Sequence, residues 1–127
     1  MNASPAPILI VDDNASKRVA LRSVLVSLGQ PIVEADSGVA ALRCVVEQDF
    51  AVILLDVCMP VMDGFETAAM LRTRLRSEAT PIIFITAFRN DELPESSSSM
   101  DGIDLMHAPI DPTELRAKVL ALVGPST

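Results

Sequence analysis

The chain has 127 residues, half of them hydrophobic and 21% charged, which suits one domain with a real core and argues against a disordered chain. It carries 10 basic and 17 acidic residues, a net charge of −7, and no Lys/Arg run, which argues against direct nucleic-acid binding because phosphate backbones demand a basic face. Only 3% of residues are aromatic, all of them Phe, so Val, Ile, Leu, Ala and Met must fill the core.

A single domain over residues 1–127 is expected, with its core from about 7 to 124. The start, Met1 to Pro7, is polar and Pro-containing and does not read as a signal peptide. The longest apolar runs, Ala51–Leu55 and Pro81–Ile85, are too short to span a membrane, so no membrane partner is expected. Cys44 and Cys58 lack a ligand spacing and read as free thiols of a reducing cytoplasm.

Ile8–Val11 is continuously apolar, as suits a strand buried on both faces, and ends in Asp12-Asp13-Asn14. From Ala15 to Leu28, Val19, Leu21, Val24, Leu25 and Leu28 recur at helical spacing, and Gly29 closes the segment. Ile32–Ala35 is a short second strand, and Ser37-Gly38 opens a helix to about Gln48. Ala51–Leu55 is the third strand, ending on Asp56. Met59-Pro60 and Asp63-Gly64 bracket a loop. Gly64–Ser77 reads as a helix with Phe65, Ala68, Ala69, Leu71 and Leu75 inward. Pro81–Ile85 is the fourth strand, ending on Thr86. Between Asn90 and Asp101, Pro94 and four serines predict a fourth helix that is short, frayed or disordered. Ile103–Met106 is a weak fifth strand. Pro112–Val123 is a last helix with Leu115, Val119, Leu120 and Val123 inward.

Five alternating strand–helix units predict an α/β fold: a flavodoxin-like, doubly wound five-stranded parallel sheet in order 2-1-3-4-5, with helices on both faces. In such a sheet sites form beyond the carboxyl ends of the strands. Asp12 and Asp13, Asp56, Thr86, and then Ala108 and Pro109 stand there. Strands 1 and 3 are neighbours in that order, so three carboxylates converge. Taken singly, each has an ordinary reading: Asp-Asp-Asn before a helix is commonly a cap, and Thr86 is a β-branched strand residue. Their placement at one edge of the sheet favours a site. Clustered carboxylates call for a hard divalent cation such as Mg²⁺, and a carboxylate so held can attack a phosphoryl group.

Asp12-Asp13, then Asp56 in the run LLDVCMPVMDG (Leu54–Gly64), then Ile85-Thr86-Ala87 resemble the receiver domains of two-component signalling. The resemblance extends from Ile8 to Val123. It implies a phosphorelay protein of the cytoplasm rather than an enzyme, one that at most promotes its own phosphorylation and dephosphorylation. By position, Asp56 resembles the phosphoacceptor, and Asp12, Asp13, Asp56 and the backbone carbonyl of Cys58 resemble the ligands of Mg²⁺ (or Mn²⁺). Thr86 resembles the switch hydroxyl, and Ala87 the small residue whose backbone faces the phosphate. The implied partners are a histidine kinase or phosphotransfer protein, with room for a homodimer or for a downstream domain in a longer natural chain.

Two positions depart from the family. Ala108, directly before Pro109, stands where receivers carry a Lys that pairs with the acids and the phosphate, and Leu105 stands where an aromatic is common. His107 should point to the other side of its strand. The alternative is therefore a degenerate receiver, a protein-binding module with little or no phosphorylation-driven switching. The closing run from Pro109 to Val119 resembles receivers of multidomain sensor proteins such as hybrid histidine kinases. A flavin-binding reading is disfavoured, because the first loop is not Gly-rich and no Tyr or Trp exists to stack a ring.

Overall fold

The computed structural model describes residues 6–74, 79–87 and 103–123. Five parallel strands, β1 (Ile8–Val11), β2 (Ile32–Ala35), β3 (Val52–Asp56), β4 (Ile82–Thr86) and β5 (Ile103–His107), form one sheet in the order β2-β1-β3-β4-β5. The helices are α1 (Ala15–Leu25), α2 (Gly38–Glu47), α3 (Gly64–Arg72) and α4 (Pro112–Val123).

Strand side chains alternate between faces, so an apolar run feeds two cores at once. Leu9, Val11, Ile53, Leu55, Ile82 and Phe84 pack with α2 and α3 on one face. Ile8, Ile10, Val52, Leu54, Ile83 and Ile85 pack with α1 and α4 on the other. Every residue of β1, β3 and β4 is buried.

Local chemistry sets the helix starts. The Asn14 side chain accepts the Lys17 N–H and caps α1, and Ser37 caps α2 by accepting from the Ala40 N–H. Asp63 and Glu66 form a reciprocal capping box on α3. α1 tightens into a 3₁₀ turn over Val26–Leu28 and stops at Gly29, whose φ of 76° is the left-handed conformation glycine accepts most readily. Arg18 and Arg22 both bridge to Glu34, tying α1 to the edge strand β2.

Three inward assignments are corrected. Val19 is 59% exposed and Leu120 47% exposed, and Ala69 is exposed while Thr67 is buried. The cause is the helical period of about 100° per residue, which sets Val19 roughly 160° from Leu21 and puts Thr67, not Ala69, on the stripe of Gly64, Ala68 and Leu71. The third strand runs one residue past expectation, to Asp56, and the fifth to His107. α3 ends at Arg72, and Thr73 and Arg74 form a turn where the helix is expected to continue; the rest of that expectation, Leu75 to Ser77, and the expected helix between Asn90 and Asp101 lie outside the described residues.

Candidate functional site

β1 and β3 are adjacent and in register, with Ile10 opposite Leu54 and Val11 opposite Leu55. Their next positions on the α1/α4 face are Asp12 and Asp56, so the acids meet because the strands do. Asp12 is 2% and Asp56 6% exposed, while Asp13 is exposed. One carboxylate oxygen from each of the three lies within 4.8 Å of the others.

Hydrogen bonding orients the two buried acids. Asp12 Oδ1 accepts the Asn14 N–H at 2.9 Å, and Asp56 Oδ1 accepts the Cys58 N–H at 3.3 Å. Asp56 Oδ2 is buried with no hydrogen-bond partner among the described residues. An unsatisfied buried carboxylate oxygen is costly unless something binds it. Burial, followed by the charge of Asp12, pushes the Asp56 carboxyl up to about 6. Burial also raises Asp12, against the opposing pull of the Asn14 amide and of Lys17.

Gly64, the first residue of α3, makes this geometry possible. A Cβ there would run into the Asp56 carbonyl and come within 2.8 Å of the Val57 Cα, both backbone. The Gly64 N–H donates to the Val57 carbonyl at 2.9 Å and closes the loop after β3.

A cleft of about 360 Å³ opens over the acids, lined by Asp12, Asp56, Lys17, Thr86, Ala87 and Ala108 among others. Its wall between α1 and α4 is apolar, formed by Leu21, Val24 and Ile110. Cys58 lines it too; Cys58 and Cys44 are both free. Thr86 is buried, and its carbonyl accepts the Ala108 N–H at 2.7 Å. Ala108 thus stands at the rim with a methyl group where a longer side chain would enter. His107 pairs in register with Thr86, off the face of Asp12 and Asp56, and is exposed. Pro109 is exposed and follows a cis peptide bond.

Sequence reasoning missed Lys17. The available signal was a cation in the first helical turn, where acids are preferred. The donor set of the acid cluster is all hard oxygen, which fits Mg²⁺ or Mn²⁺ rather than a soft metal.

Among the described residues, no helix is long and apolar enough to cross a membrane. The family model for the response regulator receiver domain matches residues 8–120. An uncharacterized 14.6 kDa protein of Leptolyngbya boryana is 32% identical over 108 residues, covering 85% of this chain and 82% of that protein. The sensor protein GacS of Pseudomonas syringae pv. syringae is 31% identical over 128 residues, which is 96% of this chain but 14% of GacS. The chemotaxis protein CheY4 of Vibrio cholerae superposes with a TM-score of 0.85 at 29% identity, covering 94% of this chain and 99% of that one. The receiver domain of a Pseudomonas aeruginosa sensor histidine kinase, with a magnesium ion coordinated in its active site cleft, gives a TM-score of 0.82 at 27% identity, covering 97% of this chain and 100% of that one. The sheet order, the acid cluster at its carboxyl edge and these likenesses agree, and the chain belongs to the response regulator receiver domains of two-component signalling.

Proposed function

We propose that this receiver accepts phosphate on Asp56 in a Mg²⁺-dependent reaction, taking it from a histidine kinase or phosphotransfer protein in the cytoplasm. The observation that carries the reading is Asp56 itself: a buried carboxylate with one orphaned oxygen, set within reach of two further acids. Asp12, Asp13, Asp56 and the Cys58 carbonyl would hold the metal (Mg²⁺ or Mn²⁺), and a bound divalent cation offsets the negative charge that gathers as phosphate arrives. The likeness to a receiver with magnesium in its cleft supports the same assignment.

An Asp56 oxygen attacks phosphorus, and the donor's bond to phosphorus breaks as the new P–O bond forms. With its carboxyl near 6, Asp56 is mostly ionised at neutral pH, as a nucleophile must be. Thr86 and the Ala87 backbone line the same cleft, where a hydroxyl and an N–H can take phosphoryl oxygens. The reaction leaves the domain itself phosphorylated and turns over no separate substrate. The likeness to a segment of a larger sensor extends the proposal to further domains in a longer natural chain.

A second reading has two observations behind it: Ala108 puts no charge into the cleft, and Leu105 is aliphatic. On that reading the domain is a binding module in which phosphate drives little change. Incubation with acetyl phosphate and Mg²⁺ decides the first point. One phosphate should appear by mass on the parent and none on Asp56→Asn, and a parent that gains no mass sinks the proposal. The NMR response to a phosphate mimic decides the second, because large shifts over residues 87–106 would sink the binding-module reading.

A further inference from the structure

Three carboxylates and an incoming phosphoryl group concentrate more negative charge than one divalent cation can neutralise. A side-chain cation is therefore needed, and it does not come from the β5 side, where Ala108 lines the cleft. The other cations of α1, Arg18 near its start and Arg22 in its last turn, are already engaged. Arg18 pairs with Glu34 and donates from Nη1 to the Asp12 carbonyl at 2.6 Å, and Arg22 pairs with Glu34 at 2.7 Å.

Lys17 remains. Among the described residues it is the sole cation lining the cleft, which it shares with Asp12, Asp56 and Thr86. Its backbone N–H donates to Asn14 Oδ1 at 3.0 Å, which fixes it in the first turn of α1. Side chains on a helix tilt toward its N-terminus, so this stem leans back toward the carboxyl ends of β1 and β3. Its charge acts on Asp12, Asp56 and Cys58 alike. The first turn of α1 contains no acid, so within the helix Lys17 sits against the dipole and the compensating charges are those of the cleft. A local rule broken beside a site points to the site.

We propose that Lys17 is a phosphate-binding residue of this domain, its ammonium reaching across the cleft from α1 to donate to the phosphoryl oxygens on Asp56. This inference rests on the reading of Asp56 as phosphoacceptor. It makes the charge balance of the site local to one side: Lys17 from α1 and the acids from β1 and β3, with β5 contributing no cation.

The test uses the full chain with acetyl phosphate and saturating Mg²⁺, reading the rate at which Asp56 gains mass. Lys17→Met should slow that rate by about tenfold, the loss expected for one charge-assisted hydrogen bond, while Lys17→Arg stays near the parent. Because Lys17 is exposed, both variants should fold, and Lys17→Met should bind Mg²⁺ more tightly than the parent once the opposing charge is gone. Three results would overturn the inference: Lys17→Met phosphorylated as fast as the parent, Lys17→Arg as slow as Lys17→Met, or Mg²⁺ affinity unmoved. If the parent itself gains no mass, the receiver-phosphorylation reading falls and this inference falls with it. If the parent gains mass and the Lys17 variants match it, only this inference falls.

Discussion

β4 and β5 are neighbours in the sheet, yet they are built differently. All five residues of β4 are buried, whereas β5 keeps only Met106 fully covered, with Asp104 and His107 exposed. The contrast falls on the site. Asp12 directly follows β1 and Asp56 ends β3, strands in which every residue is buried, whereas the lining residue Ala108 follows β5. Interior strands hold the reacting carboxylates rigidly, while the edge strand tolerates replacement.

Phe84 and Leu105 offer the sharpest test, because they are partners in register on one face. Phe84 is fully buried and meets Phe65 edge-on at 4.9 Å between ring centroids. Phe84→Ala should cost about 4 kcal/mol, and Leu105→Ala, already partly exposed, about 1–2 kcal/mol. Urea unfolding of the two variants measures both. Equal costs would break the comparison, since β5 would then be as tightly packed as β4.

A smaller effect tests the acid side. The Asp56 carboxyl is near 6 in the folded chain against 3.8 for the free group, so the folded state holds its proton more tightly. Stability therefore falls as pH rises from about 4 through 6 and levels off above it. Asp56→Asn removes that loss. It should match the parent at pH 4 and exceed it by about 2 kcal/mol at pH 8 without metal. Mg²⁺ at a hundredfold excess over its Kd should then add about 2.7 kcal/mol to the parent and much less to Asp56→Asn. Thermal melts across that pH range read both effects, and a difference that does not grow with pH would mean the Asp56 carboxylate is not strained by burial.

Much of this was legible beforehand because the informative residues form runs. Ile8–Val11, Val52–Leu55 and Ile82–Ile85 are unbroken apolar stretches, and the strand order they imply brings Asp12 and Asp56 to one edge. The helix faces were less legible. Val19, Ala69 and Leu120 have the composition of core residues but miss the buried stripe by a fraction of a turn, and apolar identity alone does not encode that angle. Lys17 escaped notice for a related reason: an exposed lysine beside Arg18 in the first turn of a helix looks like solvated surface until the cleft it lines is known. The start of α3 at Gly64 was legible as expected, and the capping box of Asp63 and Glu66 accounts for it.

The smallest expected effect concerns the loop after β3, five residues past Asp56. Val61 adopts φ 71° and is completely exposed. A β-branched side chain in the left-handed region is strained, and with no burial Val61 gains nothing in packing to offset it. Nothing in the residue's identity announces this, because valine is among the last residues expected at such a turn. The strain lies between Pro60, whose carbonyl accepts the Met62 N–H at 2.8 Å, and the capping box at Asp63. The acid side of the molecule is therefore rigid in its strands but carries stored energy in its loop. Val61→Asn, which accepts the left-handed conformation, should raise stability by about 1 kcal/mol without altering Mg²⁺ affinity. A stabilised variant with weakened metal binding would show instead that the strained backbone helps to aim the ligands that follow Asp56.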